Sequence, residues 1–136
     1  MIEKNKELIR ALVEDVIHGG DLERIPELFA PNYMPHDPSN PGRMGGIEGA
    51  RRFISMLHAG MSDIRYTIED MIAEGDLVAV RYRESGAFVG PYHGQMPNAR
   101  SYELVAIEWF EVKDGRIRRR WGARDSASQA RQLGMQ

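Results

Sequence analysis

The run Arg116-Ile117-Arg118-Arg119-Arg120-Trp121-Gly122-Ala123-Arg124-Asp125 gathers six ionisable side chains beside a large indole. Successive side chains of a strand point to opposite faces. Regular alternation therefore sets Ile117, Arg119, Trp121, Ala123 and Asp125 on one face, and Arg118, Arg120, Gly122 and Arg124 on the other. A carboxylate thus shares a face with an indole, and an apolar wall makes a carboxylate a stronger base by desolvating it. If that face lines a cavity, Asp125 is a candidate acid or base for removing a proton beside a carbonyl, a step that also needs a donor for the resulting enolate. If the face meets water, Asp125 is the N-cap of the helix that follows.

The elements that must hold these residues can be read from periodicity. Leu8, Ile9, Leu12, Val13, Val16 and Ile17 follow the spacing of one helical face, and Gly19-Gly20 ends that helix. Asp21 caps a short second helix through Ile25, Leu28 and Phe29, with Pro26 in its first turns. Residues 31–46, rich in Pro and Gly, are expected to form a loop. A third helix runs from Ile47 to about Gly60, with Phe53, Ile54 and Leu57 inward.

Strands follow over Ile64–Ala73, Leu77–Phe88, Arg100–Val112 and from Arg116 onward, and residues 126–134 form a short terminal helix stopped at Gly134. Turns at Glu74-Gly75-Asp76 and Lys113-Asp114-Gly115 join successive strands. Helices first and an antiparallel sheet after them give an α+β class, with one domain over residues 1–136.

With Asp114 and Gly115 as turn residues, Val112 lies opposite Ile117, Phe110 opposite Arg119, Glu108 opposite Trp121 and Leu104 opposite Asp125. On the other face Glu111 meets Arg118, and Trp109 meets Arg120 in a cation–π contact. A buried Glu108 must be paired, neutral or functional. Arg119 is its expected partner in a structural ion pair, and a second catalytic carboxylate is the other reading.

His36 would donate to a substrate carbonyl or relay a proton, or else fix the 31–46 loop, where Asp37 reads as a turn residue. Tyr33, Tyr82 and Tyr92 can each offer a hydroxyl to an apolar pocket or simply pack in the core. Tyr82 shares a face with Val78 and Val80 by alternation. His93, in a turn, and His18 and His58, on helices, read as surface or interface residues.

Four scattered histidines lack metal-ligand spacing, so no metal is expected. Gly42-Arg43-Met44-Gly45-Gly46 lacks the preceding strand and following lysine of a phosphate-binding loop, and no cofactor is expected.

A formal net charge of -2 gives no bulk attraction to nucleic acid or to an anionic membrane. The five arginines between 116 and 124 are split between faces by alternation, which argues for acidic partners on the sheet, not a nucleic-acid patch. No apolar run approaches membrane-spanning length. With no cysteine, disulfides and thiolate chemistry are excluded. The N-terminal residues lack the apolar core of a secretory signal, so a cytoplasmic location is expected.

Several stretches in order resemble the SnoaL-like polyketide cyclase family of the nuclear-transport-factor-like superfamily. They are Phe29-Ala30-Pro31-Asn32-Tyr33 with His36, Gly46-Ile47-Glu48-Gly49, the stretch Ile68 to Asp76, Lys113-Asp114-Gly115-Arg116-Ile117, then Trp121, Asp125 and Gln132-Leu133-Gly134. The resemblance implies a cone-shaped curved sheet wrapped by helices around an apolar pocket. It also implies a cofactor-free intramolecular aldol condensation with an acid/base aspartate at the position of Asp125. A family Gly-Thr-His-x-Gly pattern is replaced by Gly86-Ala87-Phe88-Val89-Gly90, and Arg119 stands where relatives carry a glutamate. The superfamily hosts several chemistries, so the fold leaves the reaction open.

The combined expectation is acid/base chemistry on a small hydrophobic carbonyl compound, as an aldol cyclisation or an isomerisation. Asp125 would be the base and His36 or a tyrosine the donor. Trp121, Tyr33, Val78, Tyr82, Leu104 and Phe53 would shape the pocket. The alternative is a non-catalytic small-molecule binding domain with the same pocket. A homodimer is expected from family habit and from Val105, Ile107 and Trp109, which would leave an apolar patch on a monomer.

Overall fold

A computed structural model describes residues 1–38 and 42–135. Helix α1 (Ile2–Ala11) continues without a break into a π-helical segment, Leu12–His18, and together they bury Ile9, Leu12, Val13, Val16 and Ile17. Asp21 accepts from the Glu23 amide at 3.1 Å and starts a 3₁₀ turn, Leu22–Arg24, that leads into α2 (Ile25–Leu28). Helix α3 (Gly46–Gly60) buries Ile54 and Leu57, with Phe53 packed against the core. Helix α4 (Ser126–Leu133) ends at Gly134, whose φ of 69° supplies the left-handed stop.

The strands are β1 (Phe29–His36), β2 (Met61–Glu74), β3 (Leu77–Phe88), β4 (Ser101–Lys113) and β5 (Arg116–Arg124), in the sheet order β1-β5-β4-β3-β2. Alternation in β3 and β4 is strict. Val78, Val80, Tyr82, Glu84 and Phe88 face inward from β3, and Tyr102, Leu104, Ala106, Glu108, Phe110 and Val112 from β4. Asp114 and Gly115 both have positive φ, 51° and 76°, as a tight hairpin turn with the twist of its strands requires.

The sheet is curved and mixed, not wholly antiparallel, because β1 pairs in parallel with β5. Expecting a loop from residue 31 hid this strand. Pro31 and Pro35 cannot donate to a ladder, but β1 is an edge strand, where a missing N–H is tolerated. The part of that loop reading at 39–41 lies outside the described residues. No described helix is long and apolar enough to cross a membrane.

One irregularity decides which side chains reach the interior. Val112 lies opposite Ile117 as expected, but Glu111 lies opposite Arg119, so Arg118 is an extra residue in β5. A bulge of this kind moves every later side chain to the other face. Arg120 and Gly122 turn inward and Trp121 and Ala123 outward. Trp109 therefore faces Trp121, Phe110 faces Arg120 and Glu108 faces Gly122. The expected Glu108–Trp121, Leu104–Asp125 and Trp109–Arg120 pairings are replaced, while an ion pair between Arg118 and Glu111 is present at 3.6 Å.

Candidate functional site

The inner faces of β3, β4 and β5 bring Glu84, Glu108, Arg120 and Arg124 to one cavity of ≈ 240 Å³. Helix α3 contributes Phe53, Ile54 and Leu57, β1 contributes Tyr33, the stretch after it Asp37 and Arg43, and α4 contributes Gln129. Buried carboxylates need partners, and the Arg118 bulge supplies them. Arg120 Nε donates to Glu108 Oε2, and Arg124 Nη2 donates to Glu84 Oε2. Gly122, between the two arginines, carries no side chain. A Cβ there would stand 2.6 Å from Arg120 Nη2, so its absence lets the guanidinium lie along the strand.

The two pairs differ in how well they are satisfied. Glu84 also accepts from Tyr102 Oη at 2.6 Å and from Arg124 Nε at 3.2 Å, while Arg124 Nη1 reaches Gln129 Oε1 at 3.1 Å. Around Glu108, Arg120 Nη1 is buried without a hydrogen-bond partner among the described residues, and the buried Tyr82 hydroxyl interacts with Glu108. Arg43 lies over the Phe53 ring, 3.6 Å from its centroid, and its Nε and Nη1 are also buried and unpartnered by hydrogen bonds there. Its nearest carboxylate contact is Asp37, 3.7 Å from Nη1.

Electrostatics follow this geometry. Burial alone would pull Arg120 and Arg124 down, but Glu108 and Glu84 outweigh it and hold both above their usual values. Arg43 goes the other way, held below its usual value by burial and by Arg120. Burial raises all five tyrosines, Tyr33 with partial relief from Arg120 and Arg43.

Of the residues singled out from sequence, Tyr33, Phe53 and Glu108 line the cavity. Val78, Tyr82 and Leu104 are buried in the core but are not part of the cavity wall. Trp121 and His36 face outward, their rings stacked at 5.3 Å between centroids. Asp125 is exposed and accepts from the Ser128 amide at 2.9 Å as the N-cap of α4, so the structure does not bring its carboxylate to the cavity wall. The physical cause for Trp121 and Asp125 is the parity change at Arg118. For His36 it is the outward phase of β1.

Glu108 is paired with Arg120, not with Arg119, which is exposed. Tyr92 and His93 also line the cavity. His58 is exposed, as expected, and His18 is half-buried; His18 Nε2 accepts from the Tyr66 amide at 2.9 Å and His58 Nε2 lies 2.8 Å from the Ile17 carbonyl oxygen.

Sequence reasoning missed Glu84, Arg120, Arg124 and Arg43. Alternation from Val78, Val80 and Tyr82 already puts Glu84 on the inner face, and two inward carboxylates on β3 and β4 call for two inward cations. No cluster of three His, Cys, Asp or Glu side chains suited to a metal occurs among the described residues.

The α+β fold with ionisable pairs lining an apolar cavity has many relatives among solved structures. The chain belongs to the SnoaL-like polyketide cyclase family, whose model matches residues 7–133. TsrD of Streptomyces laurentii is similar at 28% identity and a TM-score of 0.88, covering 98% of this chain and 97% of that one. IdmH of Streptomyces antibioticus, provisionally assigned as a polyketide cyclase, is similar at 30% identity and a TM-score of 0.82, covering 96% and 99%. AclR of Streptomyces galilaeus, provisionally assigned as a hydroxylase, shares the fold at 17% identity and a TM-score of 0.84, covering 98% and 83%. No curated protein matches the chain significantly.

Proposed function

We propose that this protein performs cofactor-free acid/base chemistry on a small, largely apolar carbonyl compound, as an aldol cyclisation or a ketone isomerisation. The observation that carries this reading is the buried Glu108–Arg120 pair on the wall of an apolar cavity, with Arg120 Nη1 left without a hydrogen-bond partner among the described residues. Glu108 would take a proton from the carbon beside the carbonyl. The electron pair of that C–H bond becomes the C=C bond of the enolate as the carbonyl π pair moves to oxygen, where Arg120 Nη1 and the Tyr33 hydroxyl would stabilise it. The enolate carbon then attacks a second carbonyl, whose oxygen becomes an alkoxide awaiting a proton, or a conjugated dienolate is reprotonated at its far carbon. In either case Glu108 returns the proton. The similarity to IdmH supports the cyclase form.

A second reading keeps Asp125 as the base. Its sequence neighbours Arg124 and Ser126 line the cavity, which favours a place at the rim. The test is solvent deuterium exchange into a panel of small ketones and β-keto esters with wild type, Glu108→Gln and Asp125→Asn. Loss only in Glu108→Gln supports the first reading, and loss only in Asp125→Asn the second. No exchange above buffer with any compound favours the non-catalytic binding domain.

The outer sheet face is proposed to pair with a second copy. Val105, Ile107 and Trp109 are 54%, 52% and 46% exposed in one chain, and outward Trp121 adds to the same patch. Sedimentation of Trp109→Asp tests this. A wild-type dimer that becomes a monomer supports pairing, and a wild-type monomer excludes it.

A further inference from the structure

Three arginines line the cavity, and their surroundings differ. Arg120 and Arg124 each donate to a carboxylate at hydrogen-bond distance. Arg43 has no such partner among the described residues. Asp37 stands 3.7 Å from its Nη1, an ion contact without a hydrogen bond, and its Nε and Nη1 are both buried and unpartnered. Its guanidinium side chain is only 9% exposed. A buried guanidinium with unmade hydrogen bonds is costly to hold. Phe53 supplies a ring face beneath it but no acceptor.

We propose that the ligand of this cavity carries a carboxylate, which docks on Arg43 and on one N–H of the unpartnered Arg120 Nη1, the other N–H being left for the enolate oxygen, while its apolar body lies among Ile54, Leu57 and Phe110. The inference rests on the cavity being the ligand site. It goes further by assigning the charged group of that ligand and the residue that selects it.

Acceptor capacity favours a carboxylate over a lone ketone oxygen. Three buried nitrogen atoms await acceptors here: Arg43 Nε, Arg43 Nη1 and Arg120 Nη1. A ketone oxygen offers two lone pairs, whereas a carboxylate offers about four. The hydrogen bonds would also be charge-assisted, the stronger kind. Charge compensation points the same way. Glu108 and Glu84 hold Arg120 and Arg124 above their usual values, while Arg43 alone is held below its own by burial and by Arg120. An anion between Arg43 and Arg120 would relieve their repulsion. Asp37 and Glu108 share this pole and oppose a further negative charge, which makes the under-compensated Arg43 the deciding residue.

The test is calorimetric titration of wild type, Arg43→Gln and Arg43→Lys with β-naphthoate and with its methyl ester as the neutral control. The expected result is acid binding at least about tenfold tighter than ester binding in wild type, since hydrogen bonds to charged groups are each worth that much or more. Arg43→Gln should erase the preference for the acid and leave ester binding nearly unchanged. Arg43→Lys keeps the charge without the planar fork and should retain part of the preference, so the result does not hang on one variant folding. Ester binding equal to or tighter than acid binding in wild type overturns the inference and leaves the cavity reading standing. So does equal weakening of both ligands in the variants. Binding of neither compound to wild type overturns both.

Discussion

Two carboxylate–guanidinium pairs stand on the same inner sheet face and differ in how far their surroundings satisfy them. Glu84 is gripped through both oxygens by Arg124 and Tyr102, and Arg124 is gripped in turn by Gln129. Around Glu108 an arginine nitrogen is left without a hydrogen-bond partner among the described residues, and Arg43 of the same cavity is likewise unsatisfied. The better-satisfied pair, beside which only Gln129 Nε2 lacks a hydrogen-bond partner among the described residues, rigidifies the fold, whereas the less satisfied one keeps hydrogen-bonding capacity that a ligand can use. The first pair is read as a strut between β3, β5 and α4, the second as the reactive pole of the cavity.

This contrast can be broken at several points. The largest expected effect is on turnover. Glu108→Gln keeps the shape of the pair and should lower enolate exchange by about 10²–10⁴-fold, the range of general acid/base contributions. The next is on stability. Glu84→Leu strands Arg124 and should cost about 3–5 kcal/mol in urea unfolding, while adding Arg124→Met should recover most of that loss. Recovery of nothing would mean that Glu84 does more than balance a charge.

A third effect appears in alkali. All five tyrosines are raised by burial, so their neutral forms are favoured in the folded state. Their contribution is fully present below the unfolded value of about 10 and is lost as pH rises from there through the raised folded values. Phenolate absorbance should therefore rise together with loss of structure, not before it. A tyrosine that titrates near 10 in the folded protein would locate an error in the packing of the pocket. The smallest effect is at the rim. Asp125→Ala removes a helix cap and should cost about 1 kcal/mol of stability, with exchange unchanged.

Much of this architecture is legible in the chain. The strict alternation of β3 and β4 places Glu108 inside and Val105, Ile107 and Trp109 outside, as the structure has them. The Asp114-Gly115 turn and the stop at Gly134 follow from backbone chemistry alone. The inner residues of β5 could not be read by alternation, because one extra residue at Arg118 reverses the parity of everything after it. The buried charges hold the clue to that bulge. Glu84 and Glu108 both face inward, and only the shifted register gives each an arginine. Strand β1 was masked by its prolines, and Arg43 reaches the cavity from a stretch with no periodicity to place it.

The central claim is that the Glu108 pair does chemistry and the Glu84 pair holds structure. Glu108→Gln and Glu84→Gln measured side by side for deuterium exchange and for thermal midpoint test it most directly. The account predicts that Glu108→Gln, which also strands a buried arginine and lowers the midpoint, loses exchange at temperatures where it is still folded. Glu84→Gln should lose midpoint and keep exchange at temperatures where it is folded. Exchange that survives in Glu108→Gln, or that vanishes in folded Glu84→Gln, would contradict it.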